Sequence, residues 1–234
     1  MADNYLEKRA LELAERRPKV VRSHPSLESL LKRNRSYRGY DSSHTVTEAD
    51  LRHILEVVPW VGSGMNAQPL RFRLVTGAAV DLVHPLVTLG AALPEEHLPH
   101  PGEEPSAYIV VCAVGTQEGA CGPASGGGPG AGGASGAGGA SHSRVVDIDL
   151  GIAAQSILLR AVEMGLGGIF VLNFRAAALQ AALGLPLEPI AVIGIGKPLE
   201  RVFLIPATAG SPLSYYRKEG AHFVPKLGVE DLLV

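Results

Sequence analysis

Arg35-Ser36-Tyr37-Arg38 sets two guanidinium groups and a hydroxyl close together after a short amphipathic stretch. A guanidinium fork meets phosphate oxygens two at a time, and a serine hydroxyl adds a neutral donor. The segment reads as an anion cradle or, more blandly, as a solvated basic turn. A second stretch, Ser63-Gly64-Met65-Asn66-Ala67-Gln68-Pro69, gathers amides and a hydroxyl between two apolar elements. Each amide offers both a donor and an acceptor, which suits the heteroatom edge of a flat heterocycle. Capping of neighbouring backbone is the alternative. Glycines cluster at Gly165, Gly167 and Gly168, and again at Gly194 and Gly196. Neither cluster is a dinucleotide fingerprint, because Phe170 and Leu199 stand at the sixth positions of G-x-G-x-x-G. A phosphate-binding Walker loop fails too, with Ala191 where its first glycine belongs. Close approach of backbone to a neighbour or to a planar ligand explains such glycines better.

Other chemistries find no support. No G-x-S-x-G nucleophile elbow occurs. His97 and His100 flank Leu-Pro among glutamates without a Cys or His cluster, so no metal site is expected. Two cysteines, Cys112 and Cys121, make neither a disulfide framework nor a four-cysteine zinc site.

These groups need a scaffold, and the hydrophobic pattern supplies one. Helices are predicted over residues 4–17, over Ser26–Arg33, and from an N-cap at Thr47 to Val58 before Pro59. Asp50 sits at the capping-box position of the last of these, with Val46 and Leu51 as a hydrophobic staple. Leu70–Val75 alternates like a half-buried strand, and Ala107–Val114 is a continuous apolar run that fits a buried one. Val146–Gly165 is the strongest helix and is apolar almost all round, so both faces should be covered. Strands are predicted at Ile169–Leu172, Pro189–Gly194 and Val202–Ile205, with a helix over Arg175–Leu183 ended by Gly184. Helices and strands mix without regular alternation, which predicts an α+β layered domain.

The chain has 234 residues, 46% of them apolar and 19% charged, which excludes a disordered chain. The longest apolar run is too short for a membrane span and the charged N-terminus is unlike a secretory signal, so a soluble cytoplasmic protein is expected. A net charge of −2 argues against nucleic acid as a partner. Residues 119–141 contain only Gly, Ala, Ser, Pro and one Cys, too little apolar surface to offset chain entropy. A single domain over 1–234 with a flexible insertion at about 119–143 is therefore expected.

Four blocks in order resemble the nitroreductase family of FMN-dependent oxidoreductases. They are Arg35 to Arg38, Ser63 to Pro69, the run DLGIAAQSILLRAVEMGLGG from Asp149 to Gly168, and the tail from Tyr215-Tyr216-Arg217 through His222-Phe223-Val224-Pro225-Lys226. The resemblance implies an α+β sandwich whose two chains intertwine as a homodimer and share two flavin sites. By position, Arg35, Ser36, Arg38 and Lys226 would hold the FMN phosphate and ribityl chain. Ser63, Asn66 and Gln68 would reach the flavin from the other subunit, and Gly167 and Gly168 would lie against its ring. The position after Lys226 is Leu227, where related tails often carry arginine. The resemblance also implies hydride from NADH or NADPH, a small electron-poor acceptor such as a nitroaromatic or quinone, and a ping-pong route. No protein side chain would be catalytic, because the flavin carries the chemistry. A flavin carrier or sensor without turnover, or a metabolite dehydrogenase or dehalogenase of the same family, would share these residues.

Overall fold

Residues 24–114 and 144–234 are described in a computed structural model of the chain. The helix expected over 4–17 and the insertion at about 119–143 lie outside the described residues. In chain order the elements are α1 (Leu27–Arg33), α2 (Glu48–Leu55), β1 (Leu70–Val75), α3 (Val80–Val83), β2 (Ala107–Ala113), α4 (Arg144–Glu163), β3 (Gly167–Val171), α5 (Ala176–Leu183), β4 (Pro189–Gly196), β5 (Arg201–Ala207), β6 (Tyr216–Lys218) and β7 (Ala221–Leu227).

Strand β2 organises the core because all seven of its residues are buried. Side chains alternate across a strand, so its two sets of residues feed two hydrophobic clusters. Ala107, Ile109, Val111 and Ala113 pack with Leu150, Ala153, Ile157 and Ala161 of α4 and with Leu51 and Ile54 of α2. Tyr108, Val110 and Cys112 pack on the other face with Val83 of α3 and Leu179 of α5. The sheet runs β1-β2-β4-β3 with every neighbouring pair antiparallel. The fold is α+β with helices on both faces, as the apolar patterning predicts. Among the described residues, no helix is long and apolar enough to cross a membrane.

Local chemistry sets the element ends. Thr47 Oγ1 accepts from the Asp50 amide at 3.2 Å, and Asp50 Oδ2 accepts from the Thr47 amide at 2.9 Å. This box starts α2, which stops at Leu55 rather than Val58. Pro59 makes the backbone before it unfavourable for an α-helix, and Val58–Trp60 forms a separate 3-10 turn. Thr47→Ala removes the cap, and a thermal melt should show a loss of about 1 kcal/mol.

The tail departs most from expectation. Beyond the strand expected at Val202–Ile205, the structure has a second sheet of order β5-β7-β6, with β5 and β7 parallel and β6 and β7 antiparallel. Lys218 pairs with Ala221 across Glu219 and Gly220, whose φ values of 52° and 72° suit a two-residue hairpin turn. Phe203, Phe223 and Tyr216 stack across the three strands with ring centroids 5.4 and 5.3 Å apart.

Candidate functional site

The arginine segment is fastened beside the first sheet. Ser36 forms a parallel bridge with Gly168, and the Tyr37 amide donates to the Gly168 carbonyl at 3.2 Å. Tyr37 is also tied back to α1, donating its hydroxyl to the Arg33 carbonyl at 2.8 Å. Arg35 and Arg38 are thereby held at the mouth of a cavity of about 330 Å³. Its walls include Arg35, Ser36 and Arg38, Gln155 and Leu158 of α4, Phe170 of β3, and His222 and Lys226 of β7. Residues almost two hundred positions apart in the chain meet there.

Arg38 Nη1 donates to the Ser36 carbonyl at 2.9 Å and Nη2 to the Tyr215 hydroxyl at 3.1 Å. Its guanidinium also lies over the Tyr215 ring, 4.8 Å from the centroid. Arg35 Nη2 donates to the Leu31 carbonyl at 2.6 Å. Burial pulls the Arg35 guanidinium below its ordinary range, the sign of a cation that has lost part of its water. Among the described residues, three buried nitrogens on residues lining this cavity have no hydrogen-bond partner: Arg35 Nε, Arg38 Nε and His222 Nε2. Unpaired buried polar groups are rare in folded proteins, and the three residues that carry these line one cavity together with Lys226. Such a site suits a compact anion with several acceptor oxygens.

Ser63, Asn66 and Gln68 lie elsewhere, on a cavity of about 240 Å³ that also includes Asp149 and Ala153 of α4. The two cavities share no lining residue, although α4 borders both. Within one chain the amide loop and the arginine segment are therefore not brought together. The loop is unusual in its backbone: Met65, Asn66 and Gln68 all have left-handed φ, at 50°, 56° and 47°. Buried Asp149 holds this strained shape. Its carboxylate accepts Ser63 Oγ–H at 2.6 Å and the Gly64 amide at 2.9 Å, and Ser63 Oγ accepts the Gln68 amide at 2.8 Å. The Ser63 hydroxyl is thus committed to the loop itself, which makes Ser63 a clamp more than a free donor. Gln68 Nε2 donates to Asn66 Oδ1 at 3.0 Å, and both side chains stay exposed. Asp149→Ala strands both donors, so a denaturant melt should lose about 1–3 kcal/mol.

Gly167 and Gly168 line neither cavity. They are the first two residues of β3, and both are closed off by protein. A Cβ on Gly167 would lie 2.6 Å from the Tyr37 ring and from Pro198, and one on Gly168 would lie 2.6 Å from the Gly194 carbonyl oxygen. Close approach does require glycine here, but the neighbour is the arginine segment and strand β4. This packing accounts for both glycines within the chain. Spacing alone assigns no role to Gln155, Glu200 or His222, because nothing in it links them to Arg38.

The family model for the nitroreductase family matches residues 31–109 and 133–197, more than half of the chain. The chain belongs to the nitroreductase family. Solved nitroreductases have the same fold. A putative nitroreductase from Desulfovibrio desulfuricans, in complex with FMN, is 25% identical with a TM-score of 0.52, over 76% of this chain and 88% of that one. One from Exiguobacterium sibiricum 255-15, also with FMN, is 19% identical with a TM-score of 0.53, over 77% and 91%. An FMN- and NADPH-dependent nitroreductase from Sphigopyxis sp. strain HMH is 19% identical with a TM-score of 0.53, over 75% and 89%. No curated protein matches the sequence. The matched residues of this nitroreductase-family chain include Arg35, Ser36, Arg38, Ser63, Asn66, Gln68, Gly167 and Gly168, whereas Lys226 and His222 lie beyond them.

Proposed function

We propose that this nitroreductase-family chain is an FMN-dependent oxidoreductase that takes hydride from NADH or NADPH and passes it to a small electron-poor acceptor. A nitroaromatic or a quinone is the acceptor class, and the two substrates use the site in turn. The observation that carries this reading is the cavity lined by Arg35, Arg38, His222 and Lys226, three of which hold a buried nitrogen with no hydrogen-bond partner among the described residues. Those residues fit the phosphate of FMN, a dianion that must be desolvated to bind and needs several charged donors. FMN, when bound, supplies the redox chemistry itself.

The work left to the chain is holding and presenting. Arg35, Ser36, Arg38 and Lys226 hold the phosphate end. Asn66 and Gln68, exposed on the loop clamped by Asp149, present amides to the flavin of a second copy's site. A homodimer accounts for this division, and the surface of the chain supports it. Ile148 and Ile152 share one face of α4 and are 53% and 40% exposed, close to the helix residues that border both cavities. Trp60, next to the amide loop, is 86% exposed. Pairing of two copies would cover this apolar surface and bring the amide loop of one to the arginine segment of the other.

Anaerobic addition of NADH or NADPH to the FMN-loaded protein tests the reading. Loss of the yellow colour within seconds, and its return on adding a quinone, is expected. Persistent yellow in excess of both reductants would make the protein a carrier and not a catalyst.

A further inference from the structure

His222 lies in β7, only 1% exposed, and borders the cavity shared by Arg35, Arg38 and Lys226. Its two ring nitrogens have opposite situations. Nδ1 is 2.8 Å from Glu200 Oε2, while Nε2 is buried with no hydrogen-bond partner among the described residues. Glu200 also accepts the Arg38 backbone amide and has Arg217 Nη2 at 3.9 Å. Burial works to raise the Glu200 carboxyl, but the His222 hydrogen bond, the Arg38 amide and the charge of Arg217 outweigh it and hold it below its ordinary value. An ionised carboxylate can only accept, so the proton in the 2.8 Å contact sits on Nδ1.

That assignment decides what Nε2 can do. In the neutral ring it is a lone pair, buried at the wall of a cavity that Arg35, Arg38 and Lys226 also line, and with a second proton it is a donor. The charged or titratable groups around it are Arg35 and Arg38 from the segment after α1, Glu200 from the β4–β5 connection, Tyr215 and Arg217 at β6, and Lys226 of β7. Cations dominate that set, which suits an entering anion.

We propose that His222 is a phosphate ligand, with Nε2–H donating to the same phosphate that the two arginines and Lys226 hold, and that Glu200 is the positioning residue that fixes the ring. The proposal rests on the FMN reading above and adds a residue to it. The Nε2 proton comes from solvent when the phosphate enters.

Riboflavin, which is FMN without its phosphate, separates a ligand from a packing residue. His222→Asn keeps an amide where Nδ1 meets Glu200 and removes the donor from the cavity. Flavin fluorescence quenching should show FMN binding weakened tenfold or more in His222→Asn, with riboflavin binding unchanged. Unchanged FMN affinity, or equal weakening of FMN and riboflavin, overturns the proposal. An unmodified chain that binds FMN no better than riboflavin overturns the cofactor reading itself, a separate outcome. Nitrogen-15 resonances of the histidine rings in the unmodified chain give a second measurement that does not depend on the variant folding. His222 Nε2 should move to the imidazolium position with FMN and not with riboflavin, and Glu200→Gln should abolish that movement. An Nε2 resonance that stays fixed while FMN binds contradicts the assignment.

Discussion

The Gly168→Ala variant should lose about 3 kcal/mol of stability, at the upper end of what one extra methyl costs in a packed interior. The added carbon would lie 2.6 Å from the Gly194 carbonyl oxygen, 2.7 Å from Leu158 and 2.9 Å from Ile195. Leu158 can turn aside, but the carbonyl belongs to β4 and is pinned by the β3–β4 ladder. Relief must come from moving β3, and β3 carries the arginine segment through the Ser36–Gly168 bridge. A chain of this size should therefore melt roughly 6–12 °C lower. Gly62→Ala is the control, because a Cβ there meets nothing within 4 Å and its φ is ordinary. It should melt within a degree or two of the unmodified protein. Equal melting of the two variants would mean that the strand can shift at no cost.

Arg35→Ala should weaken FMN binding about ten- to a hundredfold and leave riboflavin binding and the fold intact. A hydrogen bond to a charged group is worth roughly 1.5–3 kcal/mol, and each 1.4 kcal/mol is a factor of ten. Arg35 is partly desolvated already, and among the described residues its Nε has no hydrogen-bond partner, so the guanidinium keeps bonding capacity for an anion. The Nη2 bond to Leu31 is lost as well, but it lies at the exposed end of α1 and contributes little to the fold. Equilibrium dialysis against FMN and riboflavin separates these effects. Equal losses for the two ligands would place Arg35 outside the phosphate contact.

Much of the scaffold was legible in local pattern. The capping box at Thr47 and Asp50, the apolar run of β2 and the all-round apolar helix α4 each announce themselves within one or two turns of chain. The Arg35–Arg38 cluster was equally visible, because its members are neighbours in sequence. What sequence could not supply was pairing at long range. Glu200 meets the Arg38 amide 162 positions away and His222 22 positions away, and neither contact leaves a trace in spacing. The β6–β7 hairpin had a signal, Glu219-Gly220 between alternating residues, yet its purpose emerges only when β7 delivers His222 and Lys226 to the cavity. At Gly167 and Gly168 the need for close approach was readable, but not that Tyr37 and Pro198 crowd the first and Gly194 and Leu158 the second, since those partners come from distant parts of the chain. Ser63 was readable as a polar loop residue, whereas its commitment to Asp149 depends on a contact 86 positions away.

Titration of FMN into the purified protein, followed by quenching of flavin fluorescence, tests the central claim most directly. Saturable binding of one FMN per chain, far tighter than riboflavin, is the predicted result. An absence of saturation, with free flavin fluorescence retained at protein in excess, would contradict it.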